Sequence, residues 1–385
     1  MKVAIVAPLV APIREPQRGG SQVFVSDLAR GLVDRGHEVD LYAASGSVLP
    51  GVRTIDTGVD HQALEATLYR ASGAVSRGLD VAEKAFADVY RAVRDIDYDV
   101  VHNHAFDAPA VALATALRAP VLHTLHLPPE AEVVEALRGT AASGEPPAVA
   151  CVSEHQAKAW SPFVRVDAIL PPLVPTSAIP FSPAAGNGAI FAGRFSPEKG
   201  AAEAIEIARA AGIRIDVFGD SYDDEYTRQR IAPHRAEPDV YVHASVARTS
   251  LWQVMACAAV VLCPASWDEP FGMVAAEAQA CGTPVVAFRR GALAEVVVDR
   301  VTGFLIAPGD IRAAADAALS SPGLSRLRCR EHAEGQLDLA RTLDAHERLY
   351  EQLAGACVGA AASGRRQPPA AAPTQAPASC SYSRS

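Results

Sequence analysis

The stretch DEPFGMVAAEAQACGTPVVAF, Asp268 to Phe288, sets two glutamates, Glu269 and Glu277, eight positions apart. Pro270 biases Glu269 toward extended backbone. An alanine-rich helix is predicted to start near Gly272 and to stop at Cys281-Gly282, before the β-branched strand of "PVVAF". With the apolar "AVVLC" upstream, the segment reads strand, loop, helix, strand. The first amides of such a helix lack internal acceptors, and its dipole favours an anion there. Glu277 falls about one and a half turns further in. Glu269 falls in the loop beyond the carboxyl edge of a strand, where open α/β sheets bind ligands. The arrangement suits an anionic centre flanked by hydroxyls, as in a sugar nucleotide. The alternative is an alanine-rich core helix with a solvated glutamate at each end.

The same grammar recurs along the chain. "KVAIVAP", "REPQRGG", "SQVFVSDLARGLVDRG" and "HEVDLYAA" read as strand, loop, helix and strand. "GAIFAGR", "FSPEKG", "AAEAIEIARAAG" and "IRIDVFGD" repeat that order. Each is a βαβ unit with parallel strands. Two starts predict an α/β protein of two Rossmann-like doubly wound domains facing across a cleft. Leu170 to Pro183 holds five prolines and reads as the linker. The expected domains are residues 1–172 and 173–339, with a closing helix at 340–354 packing back on the first. Residues 359–385 are rich in Ala, Pro, Ser and Gln and read as a disordered tail.

At 385 residues, with 49% hydrophobic and 21% charged residues, the chain is expected to be soluble. A net charge of −9 gives no basic footprint for nucleic acid. The seven cysteines form no Cys-x-x-Cys pair and suit a reducing cytoplasm. The apolar start is interrupted by Pro8 and Pro12, and the longest apolar run contains Gln253. Neither export nor a membrane span is expected.

Other constellations stand at predicted strand ends. In "GRFSPEKG", Arg194 and Lys199 precede a helix, as a diphosphate cradle would; the alternative is two surface cations. Gly19 and Gly20 open the first helix, where a backbone can approach a phosphate or sugar closely, or where a loop is simply flexible. Neither a P-loop nor a Gly-x-Gly-x-x-Gly spacing is present, so no nicotinamide or flavin cofactor is expected. His102 and His104 in "VHNHAFD", with His123 and His126 in "LHTLH", raise a metal site, but no further ligand cluster completes one. Asp95, Asp97 and Asp99 read as solvated turn residues at the amino edge.

In this order the pieces resemble a retaining glycosyltransferase of family 4, with the GT-B fold, over about residues 1–353. The carrying motifs are Glu269 and Glu277 around "PFG", "GRFSPEKG", "GTPVVAF", "VTGFLIAPGD" and "RGGSQVFVSDLARGLVDRGHEVDLYA". The resemblance implies that Glu277 binds ribose hydroxyls. Glu269 and the backbone of Phe271, Gly272, Met273 and Val274 would hold the donor sugar. Arg194 and Lys199 would neutralise the diphosphate, Val246 in "HASVARTSL" would touch the base, and Gly20 would face diphosphate and sugar. His126 would be the active-site histidine, catalytic together with Glu269. It also implies a nucleotide-sugar donor, UDP-glucose ahead of GDP-mannose, and no metal or other cofactor. The acceptor, a small molecule or glycan, is left unspecified; "FRRGALAEVV" and "CVSEHQAKAW" are similar to bacterial members that glucosylate small molecules such as pterins. Three departures bear on acceptor and sugar choice: Ala292 in "GALAE", Gln22 in "GGSQ" and Arg300 in "DR", where the family has glycine, glutamate and glycine. The alternatives are an enzyme that phosphorylates or epimerises a sugar nucleotide, a non-catalytic nucleotide-sugar-binding protein, or a metal-dependent hydrolase using His102 and His104.

Overall fold

Two wholly parallel sheets carry the chain. The computed structural model describes residues 1–17, 19–61, 64, 79–143, 146–184 and 186–362. The first sheet comprises β1 (Lys2–Val6), β2 (Glu38–Ala43), β3 (Arg53–Asp56), β4 (Val100–Asn103), β5 (Val121–Leu125), β6 (Ala148–Cys151) and β7 (Ala168–Ile169). Its spatial order is β3-β2-β1-β4-β5-β6-β7. The second comprises β8 (Ala189–Ala192), β9 (Ile215–Phe218), β10 (Val240–His243), β11 (Val260–Cys263), β12 (Val285–Phe288) and β13 (Gly303–Ile306), in the order β10-β9-β8-β11-β12-β13. Val3 to Val6, buried completely, typify strands covered on both faces by helices.

In each sheet the order reverses beside the first strand, between β1 and β4 and between β8 and β11. The loops leaving those strand pairs diverge to opposite faces and open a crevice at the carboxyl edge. That topology, rather than any one loop, sets where functional side chains gather.

The proline-rich segment at 170–183 is buried over much of its first half, while Ser177, Ala178, Phe181 and Pro183 are exposed. Leu170, Leu173, Val174 and Ile179 belong to one apolar cluster that also holds Ile5 and Leu28 from the first sheet's side and Met255 and Val285 from the second's. Val174 exchanges backbone hydrogen bonds with Leu337 and Leu339. Arg330 donates to the carbonyls of Thr176 and Ile179, and Arg326 to those of Ser182, Ala256 and Ala258. The apolar residues between the prolines anchor this stretch to the core.

The last described helix, Leu339–Ala362, runs through the first four residues of the predicted tail. The rest of that tail lies outside the described residues. Arg35 binds Asp344 at 2.7 Å and Glu347 at 2.6 Å, and His102 shares a 2.6 Å hydrogen bond with Tyr350. Gly31 permits the approach, since a Cβ there would lie 2.6 Å from Leu343 Cδ1. Asp99 accepts from the Lys2 amide at 2.7 Å, at the amino edge of the first sheet. Among the described residues no helix is long and apolar enough to cross a membrane.

Arg300, one of the departures from the family pattern, has φ +61°. It sits in the turn before β13, where its amide donates to the Gly303 carbonyl at 2.7 Å. An L-residue in this left-handed region costs roughly 1–2 kcal/mol, while glycine adopts it freely. Arg300→Gly should therefore raise the unfolding free energy by about 1 kcal/mol, partly offset by glycine's greater unfolded entropy. Urea unfolding checks this through a higher midpoint at unchanged slope.

Candidate functional site

Glycines in two adjacent loops, those after β11 and β12, shape the turn at Glu269. Gly272 caps helix Met273–Ala280 at φ +108°, and a Cβ there would meet Leu293 Cδ2 at 2.8 Å. Gly291 has φ +55°, and its Cβ would fall 2.2 Å from the Glu269 carbonyl oxygen. That carbonyl accepts from the Ala292 amide at 2.8 Å, which fixes the Glu269 turn against the next loop. Ala292 itself has φ −80°, so alanine fits where the family has glycine.

Glu269 meets Lys199 across the switch point between β8 and β11. Lys199 Nζ donates to both carboxylate oxygens, at 2.9 and 2.7 Å, and Trp267 Nε1 donates to one at 2.9 Å. The ammonium also lies 4.8 Å from the centre of the Trp267 ring. Arg194 stacks 4.1 Å from the Tyr222 ring centre and reaches Glu198 at 3.3 Å. Gly200, at φ +76°, lets this loop pass 2.2 Å from Pro264 O, measured from a notional Cβ. The residues assigned from sequence to diphosphate and to sugar are thus neighbours, and two of them pair with each other.

Glu277 is buried, with 4% of its surface exposed. Its Oε1 accepts from Trp252 Nε1 at 3.0 Å and, in a short contact, from Arg248 Nε. Arg248 Nη1 in turn donates to Asp27 Oδ1 and Oδ2 at 2.9 and 2.7 Å. Burial alone would lower the Arg248 pKa, but Glu277 and Asp27 more than offset it and hold the guanidinium protonated. Asp27 lies on the first helix, Gly20–Asp34, so this contact joins the two halves. At the head of that helix, a Cβ on Gly20 would have Met273 Cγ as its nearest atom, at 3.9 Å. Phe271 and Met273 are largely buried, and Val274 packs partly buried beside them. Val246 is exposed in the loop after β10, two residues before Arg248.

The first sheet's crevice holds imidazoles. His126 follows β5, and its Nε2 shares a 3.0 Å hydrogen bond with His104 Nδ1. Phe24 packs edge-on against both rings. Both nitrogens of His102 are engaged, by Tyr350 OH at 2.6 Å and Thr124 Oγ1 at 2.7 Å. Among the described residues no group of three or more His, Cys, Asp or Glu could hold a metal ion. Burial lowers the pKa of His126 to about 3 and of His123 and His346 to about 4; burial, with the neighbouring histidines, holds those of His102 and His104 well below the usual value.

Several partners are not prominent in sequence. Asp27 stands three residues after Phe24 and four before Gly31, on the helix's apolar face, which was the available sign. Arg248 and Trp252 are i and i+4 on one helix. Glu295, the glutamate of "GALAE", accepts from the amides of Glu154 and His155 at 3.0 and 2.7 Å and caps helix Glu154–Trp160 from the other domain.

The neutral histidines make stability pH-dependent. Their folded pKa values lie below the unfolded value of about 6.5, so the unfolded chain binds more protons below that pH. Their stabilising share is present above pH ~6.5 and is lost as pH falls toward 4, each contributing up to about 1.4 kcal/mol per pH unit. Unfolding at pH 5 should take up more than two protons, read from the pH dependence of urea-unfolding free energies between pH 7 and 5. Pure single-proton behaviour would contradict the buried neutral cluster.

Two family models match the chain: Glycosyltransferase Family 4 over residues 18–177 and Glycosyl transferases group 1 over residues 179–334. The D-inositol 3-phosphate glycosyltransferase of Kribbella flavida is 29% identical, covering 92% of this chain and 97% of its own. The Xylanimonas cellulosilytica enzyme of the same name is 29% identical over 82% of this chain and 87% of its own. Among solved structures, sucrose-phosphate synthase of Thermosynechococcus elongatus aligns with TM-score 0.74 at 20% identity, covering 92% of this chain and 99% of that one. Anabaena HepE in complex with UDP-glucose aligns with TM-score 0.69 at 19% identity, covering 93% and 100%.

Proposed function

The chain belongs to the glycosyltransferases of the family 4 type, with the GT-B fold, and on that premise we propose that it is a retaining enzyme. In this reading it moves a hexosyl group from a nucleotide sugar, UDP-glucose ahead of GDP-mannose, to a small-molecule or glycan acceptor. The observation that carries the reading is the Lys199–Glu269 pair, which joins the loop holding Arg194 to the loop that leads into helix Met273–Ala280, with Gly20 of the first helix beside Met273. Two fixed cations and the first helical amides are what a departing diphosphate needs.

Glu277 takes the ribose hydroxyls, Glu269 and the 271–274 backbone take the sugar, and Val246 lies beside the base. His126 contacts the sugar from the first domain. The acceptor oxygen attacks the anomeric carbon on the face the diphosphate leaves. The anomeric C–O bond breaks with its electron pair going to phosphate, and the acceptor proton passes to that oxygen. Metal is not needed in this scheme because Arg194 and Lys199 supply the positive charge. Lys199 and Glu269 pair with each other, so a donor using both takes over that contact. Related proteins support the substrate class: HepE has been seen with UDP-glucose, and two relatives are named for D-inositol 3-phosphate, a small polyol. Among the described residues Cys151, Cys257, Cys263, Cys281 and Cys329 are free thiols, which fits a cytoplasmic setting.

Thermal shifts against UDP-, GDP- and ADP-sugars should single out one base, since a ligand at 100 times its Kd adds about 2.7 kcal/mol. Proton NMR of the product made from an α-linked donor should show an α-anomeric signal; a β signal would overturn retention. Replacing both Arg194 and Lys199 by Ala should weaken nucleoside diphosphate binding by about two orders of magnitude or more, since each charge-assisted bond contributes roughly 1.5–3 kcal/mol. Unchanged affinity by calorimetry would remove the cradle from the reading.

A further inference from the structure

Arg248 is placed to do more than neutralise its neighbours. Trp252 and Arg248 both donate to Oε1 of Glu277, so ribose hydroxyls bound by this carboxylate fall to Oε2. Arg248 Nη2 is buried and has no hydrogen-bond partner among the described residues. In a planar guanidinium Nη2 shares an edge with Nε, and Nε is the atom that faces Glu277. The remaining nitrogen, Nη1, is held by both oxygens of Asp27 from the opposite domain. The guanidinium lies 4.9 Å from the Trp252 ring centre, and the Arg248 amide donates to Glu15 of the first domain at 3.2 Å. A rigid planar donor is therefore fixed on two sides, with the two N–H bonds of buried Nη2 left over on the edge that carries the Nε contact to Glu277. A buried donor without an acceptor is costly, and a hydroxyl that accepts from Nη2 while donating to Oε2 satisfies both.

We propose that Arg248 is the second half of the ribose subsite, and that Asp27 of the opposite domain holds it in place. The proposal rests on the assignment of Glu277 to ribose. The donor's ribose is then recognised by a pair whose geometry depends on the two domains being together, so that nucleoside recognition and cleft closure are one event. Lysine cannot replace the arginine, because it lacks the second planar donor.

The test compares binding of UDP with its 2′- and 3′-deoxy forms, and of pyrophosphate, by calorimetry; the guanine or adenine series is used if the donor screen selects that base. The proteins are the parent, Glu277→Gln, Arg248→Lys and Asp27→Asn, each checked for folding by circular dichroism. The parent should prefer the ribonucleotide about tenfold or more over at least one deoxy form. Arg248→Lys and Asp27→Asn should each cut that preference to below about threefold while pyrophosphate binding stays within about twofold. A general structural defect would weaken pyrophosphate as well and leave the preference intact. Parental preference in Asp27→Asn, which is isosteric and keeps the fold testable if Arg248→Lys does not fold, overturns the proposal. Parental preference in Glu277→Gln, or none in the parent, instead removes the ribose assignment beneath it.

Discussion

A carboxylate buried as deeply as Glu277 has to be paired, and the pairing reaches across the molecule. Arg248 satisfies it and is itself held by Asp27, so a carboxylate on helix Met273–Ala280 and one on the first helix share a single guanidinium. Removing one member of a buried pair costs about 3–5 kcal/mol, because the other charge is left without compensation. This makes the relative placement of the two domains part of the electrostatics of the crevice. Glu295 adds a second tie, capping a first-domain helix from the second domain, and the apolar cluster through Leu173 and Val174 adds a third.

The two switch points carry opposite chemistry. The second sheet's crevice collects cations and carboxylates in direct contact, each with an aromatic ring beneath a cation. The first sheet's crevice collects buried imidazoles held neutral by desolvation. Parallel topology explains the placement of both sets, since every strand delivers its following loop to the same edge. It does not explain their difference in charge, which lies in the residue choice after β4, β5, β8 and β11.

Much of the strand pattern was legible because buried parallel strands read as continuous apolar runs bounded by glycine and proline. Glu269 and Lys199 were legible as residue types before a helix, but not as a pair, because they are 70 positions apart. Asp27 and Arg248 are 221 apart, and although each lies inside a quoted segment, nothing in either segment marks them as partners. Proline spacing marks 170–183 as a linker but carries no information on its packing, because prolines report backbone restriction and not burial. The closing helix outruns its expected end because "AGACVGAAA" is alanine-rich and favours helix. Arg300 and Ala292 show the converse: one departure occupies a backbone conformation that favours glycine, and the other does not.

The neutral imidazoles constrain the proposed reaction. A histidine with a pKa of about 3 is almost wholly unprotonated at neutral pH and is a weak base. His126 can therefore exchange hydrogen bonds with a sugar hydroxyl, but it is poorly suited to remove the acceptor proton. Its partner His104 is depressed for the same reason and offers no stronger base behind it. Both oxygens of Glu269 already accept hydrogen bonds, from Lys199 and Trp267, so the carboxylate is occupied in holding the loop. Within the proposed scheme, the strongest base formed along the reaction is then the phosphate oxygen released by the breaking anomeric bond. It arises on the face from which the acceptor approaches, which is why a retaining displacement there requires no protein base at all.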